Sequence, residues 1–561
     1  MRKHILYIVG IVCILIIGVA FVYRPLLNYL HSSSHQTPYN IILVVSDQQA
    51  FQLRPADNYH LIGHEELQRR GVTFTNHYTA AAMCSPSRAA FLTGTPPQVN
   101  GVTDQMGYYF ISSLDPKRPN MGSVLKSLGY HTAYFGKFEM DKTVLLSKDN
   151  NNTSTAIQAY GFDEFNPDGD TSGSTRQGYY GDPYYMGEAI RWLHKNVESN
   201  SSTQKPFFMV VSLLNPHDIM YADANIPGRE AAQQAQIPII APAPNEALYA
   251  KQWHFNLPST LNEALTANGM PEALFEYYSG WSTTLGFIPS DRKDMWTNYY
   301  NYYLNAIRDN DRKLQQLNDA LTEMDMWKNT IVIFTADHGD MGGTHGGLRG
   351  KGPFAYEENA HIPLIIAHPK AQPGSVCHAL TSHLDLLPTF IGFTGLSSSV
   401  SAQLVGHDFS GLLPHPDRAA VNAIRPGILF NYVGISTVNS GFLSNVLASS
   451  FTKQTPPALS TINLSKRGFL TFVFDGRYKF ARYYAPNAFN TPTTLEQIMQ
   501  NNDVQLFDLK TDPSEAHNLA LEPQKYAAII LHMNELLNTL IAKEVGNNNG
   551  QFLSKLNGSA T

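Results

Sequence analysis

The chain predicts an α/β fold, a mostly parallel sheet flanked by helices, with a smaller α+β subdomain at its C-terminal end. Three observations carry this. Continuous apolar runs at Ile41–Val45, Phe207–Val211 and Ile331–Phe334 each end in a polar cluster. Runs of this kind suit strands buried on both faces of a parallel sheet. A helical pattern, with Tyr303, Ile307, Leu314, Leu317 and Leu321 on one face, leads directly into the third run, and alternation of strand and helix argues α/β. Beyond about residue 425 the pattern changes to short strand-like runs joined by turn residues.

From the N-terminus, Arg2, Lys3 and His4 precede an uncharged run from Ile5 to Tyr23. That run is long enough to span a bilayer and lacks a convincing cleavage site, so an uncleaved signal anchor is expected. The basic start would stay cytoplasmic, with Arg24 onward exported. Residues 1–37 are therefore assigned to a membrane anchor and a Ser/His-rich tether, and 38–424 to a catalytic domain. Within the latter, residues 220–291 read as an irregular insertion bordering the active site, rich in proline (Ile237–Pro244) and aromatics (Trp253, Phe255, Tyr277, Tyr278, Trp281). Residues 425–545 form the C-terminal subdomain. There Asp475-Gly476 between Leu470–Phe474 and Tyr478–Ala481 signals a hairpin, Leu506–Leu509 is another short strand, and a helix is expected near Tyr526–Glu544. The Asn-rich residues 546–561 read as a mobile tail.

Composition bounds the function. The 561 residues can bury a large core; 43% are hydrophobic and only 15% charged, which is globular and not disordered. A net charge of −6 argues against a non-specific nucleic-acid binder, and no nucleic-acid partner is expected. Three cysteines, Cys13, Cys84 and Cys377, cannot build a disulfide framework.

The polar clusters sit where open α/β sheets place ligands, beyond the C-terminal ends of strands. They are Asp47-Gln48-Gln49, Asn215-Pro216-His217-Asp218 and Asp337-His338-Gly339-Asp340. A fourth stretch, Cys84-Ser85-Pro86-Ser87-Arg88 running on to Leu92-Thr93-Gly94, reads as a short helix. Pro86 suits its first turn and Gly94 its stop. Cys84 would then lie at a helix N-terminus, where free N–H groups and the macrodipole favour an anion, and Arg88 adds a permanent planar cation.

Those residues carry a resemblance. C-x-P-x-R-x-x-x-L-T-G at Cys84 is similar to the signature of type I sulfatases, formylglycine-dependent members of the alkaline-phosphatase-like superfamily. Asn40–Gln48, Thr335–Asp340 with His345-Gly346, Lys351-Gly352-Pro353, Asp385–Thr389 and Leu506–Leu519 resemble further family segments. The resemblance implies a large mixed, mostly parallel sheet and a C-terminal antiparallel sheet. It implies that a formylglycine-generating enzyme converts Cys84 to formylglycine, whose hydrate is the nucleophile: one hydroxyl attacks sulfur, and the other collapses to release sulfate. It implies one divalent metal held by Asp47, Gln48, Asp337 and His338 with residue 84, calcium first and magnesium or manganese as alternatives. His217 matches the leaving-group acid, Lys137 and Lys351 the sulfate-binding lysines, and Arg88 a support for the hydrate. Glu139 stands where the family reads histidine in G-K-x-H; a carboxylate can take that proton, although its reference pKa is about two units lower. The implied substrate is a small organic sulfate ester or sulfated sugar. A formylglycine-dependent phosphonate monoester or phosphodiester hydrolase is the alternative.

Overall fold

Each apolar run is a strand whose alternate side chains enter different cores. The structure, a computed structural model, describes residues 38–546 except 55–57, 147–149, 167–168, 198–204 and 453. β1 (Asn40–Asp47) is buried from Ile41 onward. Ile41, Leu43 and Val45 pack with Phe91 and Phe208, whereas Ile42 and Val44 pack with Trp192, Leu314 and Leu317 on the opposite face. Full burial of each such side chain contributes roughly 1.5–3 kcal/mol, which makes a two-faced strand strongly position-specific.

In chain order follow β2 (Val72–Phe74), β3 (His77–Tyr78), β4 (His131–Gly136), β5 (Glu164–Phe165), β6 (Phe207–Pro216), β7 (Thr330–Ala336), β8 (Leu364–Ala367), β9 (Ser375–Cys377) and β10 (Thr381–Ser382). The main sheet has eight strands in the order β5-β4-β6-β1-β7-β8-β2-β9, and β3 pairs separately with β10. From β5 to β7 every pairing is parallel. β8 runs antiparallel to both its neighbours, so the sheet is mixed but mostly parallel. The C-terminal ends of the adjacent strands β4, β6, β1 and β7 therefore open on one edge.

The helix over Lys293–Glu323 carries the expected apolar face and braces that edge from behind. Its Tyr303 hydroxyl donates to the Gln48 carbonyl at 2.8 Å and accepts from the Ala50 amide at 2.9 Å. Asn310 Nδ2 donates to the Asn215 carbonyl at 2.6 Å, so the ends of β1 and β6 are tied to one helix.

The region expected to be irregular is so only in part. Between Tyr221 and Glu272 one short turn, Ser259–Asn262, is the sole helix among the described residues, but Glu272–Leu285 is a regular helix. Its aromatics hide the pattern, since they are indifferent helix formers. Packing decides instead: Leu274 and Tyr277 join a core with Leu443 and Leu447 of a facing helix, Ser440–Phe451.

The smaller sheet is antiparallel, β11 (Ile428–Tyr432), β12 (Phe469–Phe474), β13 (Tyr478–Tyr484) and β14 (Asp503–Asp508) in that order. The hairpin forms at the expected place: Asp475 Oδ1 accepts from the Arg477 and Tyr478 amides, and Gly476 takes φ +101°. A terminal helix covers Ala527–Leu540. The described residues from Tyr39 onward form one compact unit. No helix among them is long and apolar enough to cross a membrane. The expected anchor and tether, and the tail beyond Gly546, lie outside the described residues.

Candidate active site

Four strand ends and one helix start build a single buried cluster. β1 delivers Asp47 and Gln48, β7 delivers Asp337 and His338, β6 delivers His217, and β4 delivers Lys137 and Glu139. The helix Cys84–Thr93 begins at Cys84 and stops at Gly94 in the left-handed conformation, as Pro86 and Gly94 predict. β4 reaches this edge only because residue 136 is glycine: it has φ +101°, and a Cβ there would lie 1.9 Å from the Ser212 carbonyl oxygen.

Ligand atoms of Asp47, Cys84, Asp337 and His338 lie within 4.8 Å of one another, all buried. Cys84 Sγ is 3.2 Å from His338 Nε2 and 3.7 Å from Asp47 Oδ1. Arg88 Nη2 spans the two carboxylates, 3.1 Å from Asp47 Oδ2 and 3.0 Å from Asp337 Oδ2. Lys137 Nζ contacts Asp47 Oδ2 at 2.7 Å and Glu139 Oε2 at 3.2 Å. Lys351 Nζ donates to Gln48 Oε1 at 2.6 Å, while Gln48 Nε2 donates to Asp340 Oδ2 at 2.5 Å. The Gln48 amide is thus clamped between a lysine and an acid, and its backbone at φ +75° lets its N–H reach Asp337 Oδ1 at 3.0 Å.

Electrostatics divide these groups by role. Burial opposes ionisation of Asp47, but Lys137 and then His217, Arg88 and Lys351 outweigh it and hold the carboxyl well below its usual range. Burial lowers His338 to about 4 and His217 well below the ordinary histidine value, so both rings are neutral at pH 7. Burial, reinforced by Asp47, pushes the Cys84 thiol up to about 12. An unmodified Cys84 is therefore no thiolate nucleophile at neutral pH. Burial also pushes Glu139 up to about 7, against the pull of Lys137 and Arg88.

The cluster opens into a pocket of about 360 Å³. Glu139, His217 and Lys351 line its floor, and Met220, Tyr221 and Trp281 from the insertion line one side, with Tyr108 and Phe451 also in the wall. His217 Nδ1 is buried without a hydrogen-bond partner, and Glu139 Oε2 has only the Lys137 ammonium beside it. Asp47, Gln48, Cys84, Arg88, Lys137, Glu139, His217, Asp337, His338 and Lys351, the residues given site roles from the sequence, meet here. Two that sequence reasoning gave no role are Asp340, which holds Gln48, and Asp170, whose carboxylate accepts from the Phe138 and Glu139 amides at 2.8 and 2.7 Å. Asp340 lies inside the quoted Asp337–Asp340 run; nothing in the sequence marks Asp170.

The donor set fits a hard divalent cation. Two carboxylates, an imidazole and residue 84 converge, all buried, with their ligand atoms within 4.8 Å of one another. The Sulfatase family profile matches residues 39–396. An arylsulfatase of Volvox carteri is 25% identical over 403 residues, 69% of this chain and 60% of that protein. An N-acetylglucosamine-6-O-sulfatase of Bacteroides thetaiotaomicron is 26% identical over 418 residues, 64% of this chain and 68% of that protein. Among solved structures, a 2-O GAG sulfatase aligns with TM-score 0.62 at 20% identity, covering 91% of this chain and 93% of that one. The phosphonate monoester hydrolase of Agrobacterium radiobacter aligns with TM-score 0.59 at 20% identity, covering 90% and 96%. The match over residues 39–396 shows that the chain belongs to the sulfatase family.

Proposed function

We propose that the protein is a sulfatase that hydrolyses an organic sulfate ester at the buried cluster around residue 84. The observation that carries this is the convergence of Cys84, at a helix N-terminus, with Asp47, Asp337 and His338 in one buried cluster, beside a pocket lined by Glu139, His217 and Lys351. The family motif Cys84-Ser85-Pro86-Ser87-Arg88 supports conversion of Cys84 to formylglycine, whose hydrate would supply the nucleophile. Asp47, Asp337, His338 and residue 84 would hold one divalent cation, calcium by preference, with the Gln48 amide as a further donor; the cation supplies charge for the sulfate oxygens. Lys351 and Lys137 hold the anionic end of the substrate, and Arg88 fixes the two ligand carboxylates.

His217 is the leaving-group acid. Its ring is neutral because burial and Lys351 disfavour the cation. An anionic ester beside it favours the protonated ring and so loads the proton that the departing alcohol needs. Glu139, raised to about 7, is the base, poised near neutral pH as a proton acceptor should be. The substrate is a small organic sulfate or a sulfated sugar, seated against Trp281, Tyr221 and Tyr108. The apolar run Ile5–Tyr23 is proposed to anchor the protein, with the catalytic domain exported.

Glu139 in place of the family histidine favours a second reading, a formylglycine-dependent phosphonate monoester or phosphodiester hydrolase. One experiment separates the two. The peptide carrying residue 84 is weighed from protein made with a formylglycine-generating enzyme, and the converted protein is assayed on matched sulfate monoesters and phosphodiesters. A formylglycine mass with faster sulfate hydrolysis is expected. A phosphodiester preference overturns the sulfatase reading, and unconverted cysteine with full activity overturns both.

A further inference from the structure

A second group of metal-competent side chains lies outside the catalytic cluster. One ring nitrogen of His345 and one carboxylate oxygen each of Glu358 and Glu515 fall within 4.8 Å of one another. They come from three separated segments: the loop after β7, a short turn at Glu357–Ala360, and the stretch after β14. Acidic residues alone would mean little, but the histidine is built for ligation. Its backbone is held at φ +46° with its amide donating to Thr260 Oγ1 at 3.1 Å. Its ring stacks on Tyr356 at a centroid distance of 3.6 Å and 8° between planes. Nδ1 is taken by Glu263 Oε2 at 3.0 Å, which fixes the tautomer with Nε2 as the acceptor. Metal-binding histidines carry this carboxylate partner on the nitrogen away from the ion. Nε2 itself is buried, in a residue 1% exposed, and has no hydrogen-bond partner.

The charge count points the same way. Lys479 is the one lysine or arginine ion-paired here among the described residues, and it is shared between Glu357 Oε1 at 2.6 Å and Glu515 Oε1 at 2.8 Å. Glu357 also takes His361 at 2.7 Å. Glu358 has no ion pair among the described residues, and Glu263 has only the His345 ring. Negative charge thus exceeds positive charge around an imidazole nitrogen without a hydrogen-bond partner, an imbalance that a further cation would relieve.

We propose that His345 Nε2, Glu358 and Glu515 bind a second divalent cation, of the zinc class. One imidazole and two carboxylates suit a borderline ion better than calcium, which prefers six to eight oxygens. The ion would pin the segment after β14, in the C-terminal subdomain, to the loop that follows the catalytic strand β7.

The test uses the full chain, stripped with chelator and titrated with zinc, with bound metal counted per chain and thermal unfolding recorded. Glu358→Gln, at a half-buried position, and His345→Gln are each expected to bind one equivalent fewer than wild type. Both should also lose the rise in melting temperature that this equivalent gives. Asp337→Asn removes a ligand of the catalytic cluster and should keep the second equivalent, with one nitrogen ligand from histidine visible by zinc X-ray absorption. If Glu358→Gln, shown folded by circular dichroism, keeps the wild-type zinc count, the proposal is wrong. The same holds if wild type and variants give one stoichiometry because water fills the space. Neither result bears on residue 84, so the sulfatase reading stands or falls separately.

Discussion

Glu139→Gln should make the protein more stable and less active, and both effects should depend on pH. Glu139 is 1% exposed, and its folded carboxyl lies near 7 against an ordinary 4.5. At about 1.4 kcal/mol per tenfold change, its charged form is destabilised on folding by about 3 kcal/mol. Since the folded value is raised, the folded state binds the extra proton and the penalty is absent below pH 4.5. It grows as pH rises from 4.5 towards 7 and is complete above that. Glutamine keeps the shape and removes the charge, but it also removes the partner 3.2 Å from Lys137 Nζ, which offsets part of the gain. Urea unfolding should therefore show a stabilisation of about 1–3 kcal/mol at pH 8 that vanishes near pH 4.5. The pH profile of kcat should lose its limb near 7. Equal stabilities at pH 8, or an unchanged kcat profile, would refute the argument that burial tunes Glu139 for proton transfer.

Three further outcomes follow from contacts in and beside the site. Glu139→His should retain more turnover than Glu139→Ala, because histidine restores a base of similar pKa; near-equal turnover defects in the two would remove Glu139 from the role of base. Gly173→Ala should lower kcat at least tenfold with the fold intact, since its Cβ, at φ +79°, would sit 2.8 Å from His217 Nδ1 and turn the ring. Steady-state kinetics alongside circular dichroism check this, and unchanged kcat would remove His217 from the proton path. Lys137→Met strips the cation between Asp47 and Glu139 and should destabilise the protein by about 3–5 kcal/mol at pH 8 and less at pH 5, measured by urea unfolding.

How legible the site was depended on how each piece is buried. β1, β6 and β7 announced themselves because both faces of each are covered, so their sequences are continuous apolar runs ending in the polar residues that matter. β4 did not: His131-Thr132-Ala133-Tyr134-Phe135-Gly136 carries polar and small residues and lies one strand from the sheet edge. Lys137 was therefore found only through the family's G-K pair. The helix over Glu272–Leu285 was missed because packing against Ser440–Phe451, more than 150 residues on, decides its state. Asp170 and Asp340 act through hydrogen bonds to groups distant in sequence, which no local pattern encodes. Glu139 was visible as a departure, but the sequence assigns it an ordinary carboxyl. Burial then moves it to about 7, almost where the missing histidine would titrate.

That recovery has an electrostatic consequence that histidine would not share. Asp47, Asp337 and Glu139 face Arg88, Lys137 and Lys351, all six buried. With Glu139 ionised the charges of these six balance, and with Glu139 protonated they leave one positive charge in excess; the buried Asp340 carboxylate beside Gln48 contributes equally to both states. A divalent ion adds two charges in either case, a sulfate ester subtracts one, and free sulfate subtracts two. On the proposed function, the protonated site therefore grips anions more strongly, while the ionised site holds free sulfate with one positive charge fewer. Proton uptake by Glu139 during collapse of the intermediate would strengthen the hold on sulfate, and loss of that proton to solvent would weaken it. A neutral histidine base runs the same cycle with one more positive charge at every stage. The glutamate thus exchanges affinity for anions against release of the dianionic product, a reason for a carboxylate to stand in this place even though it must be buried to work there.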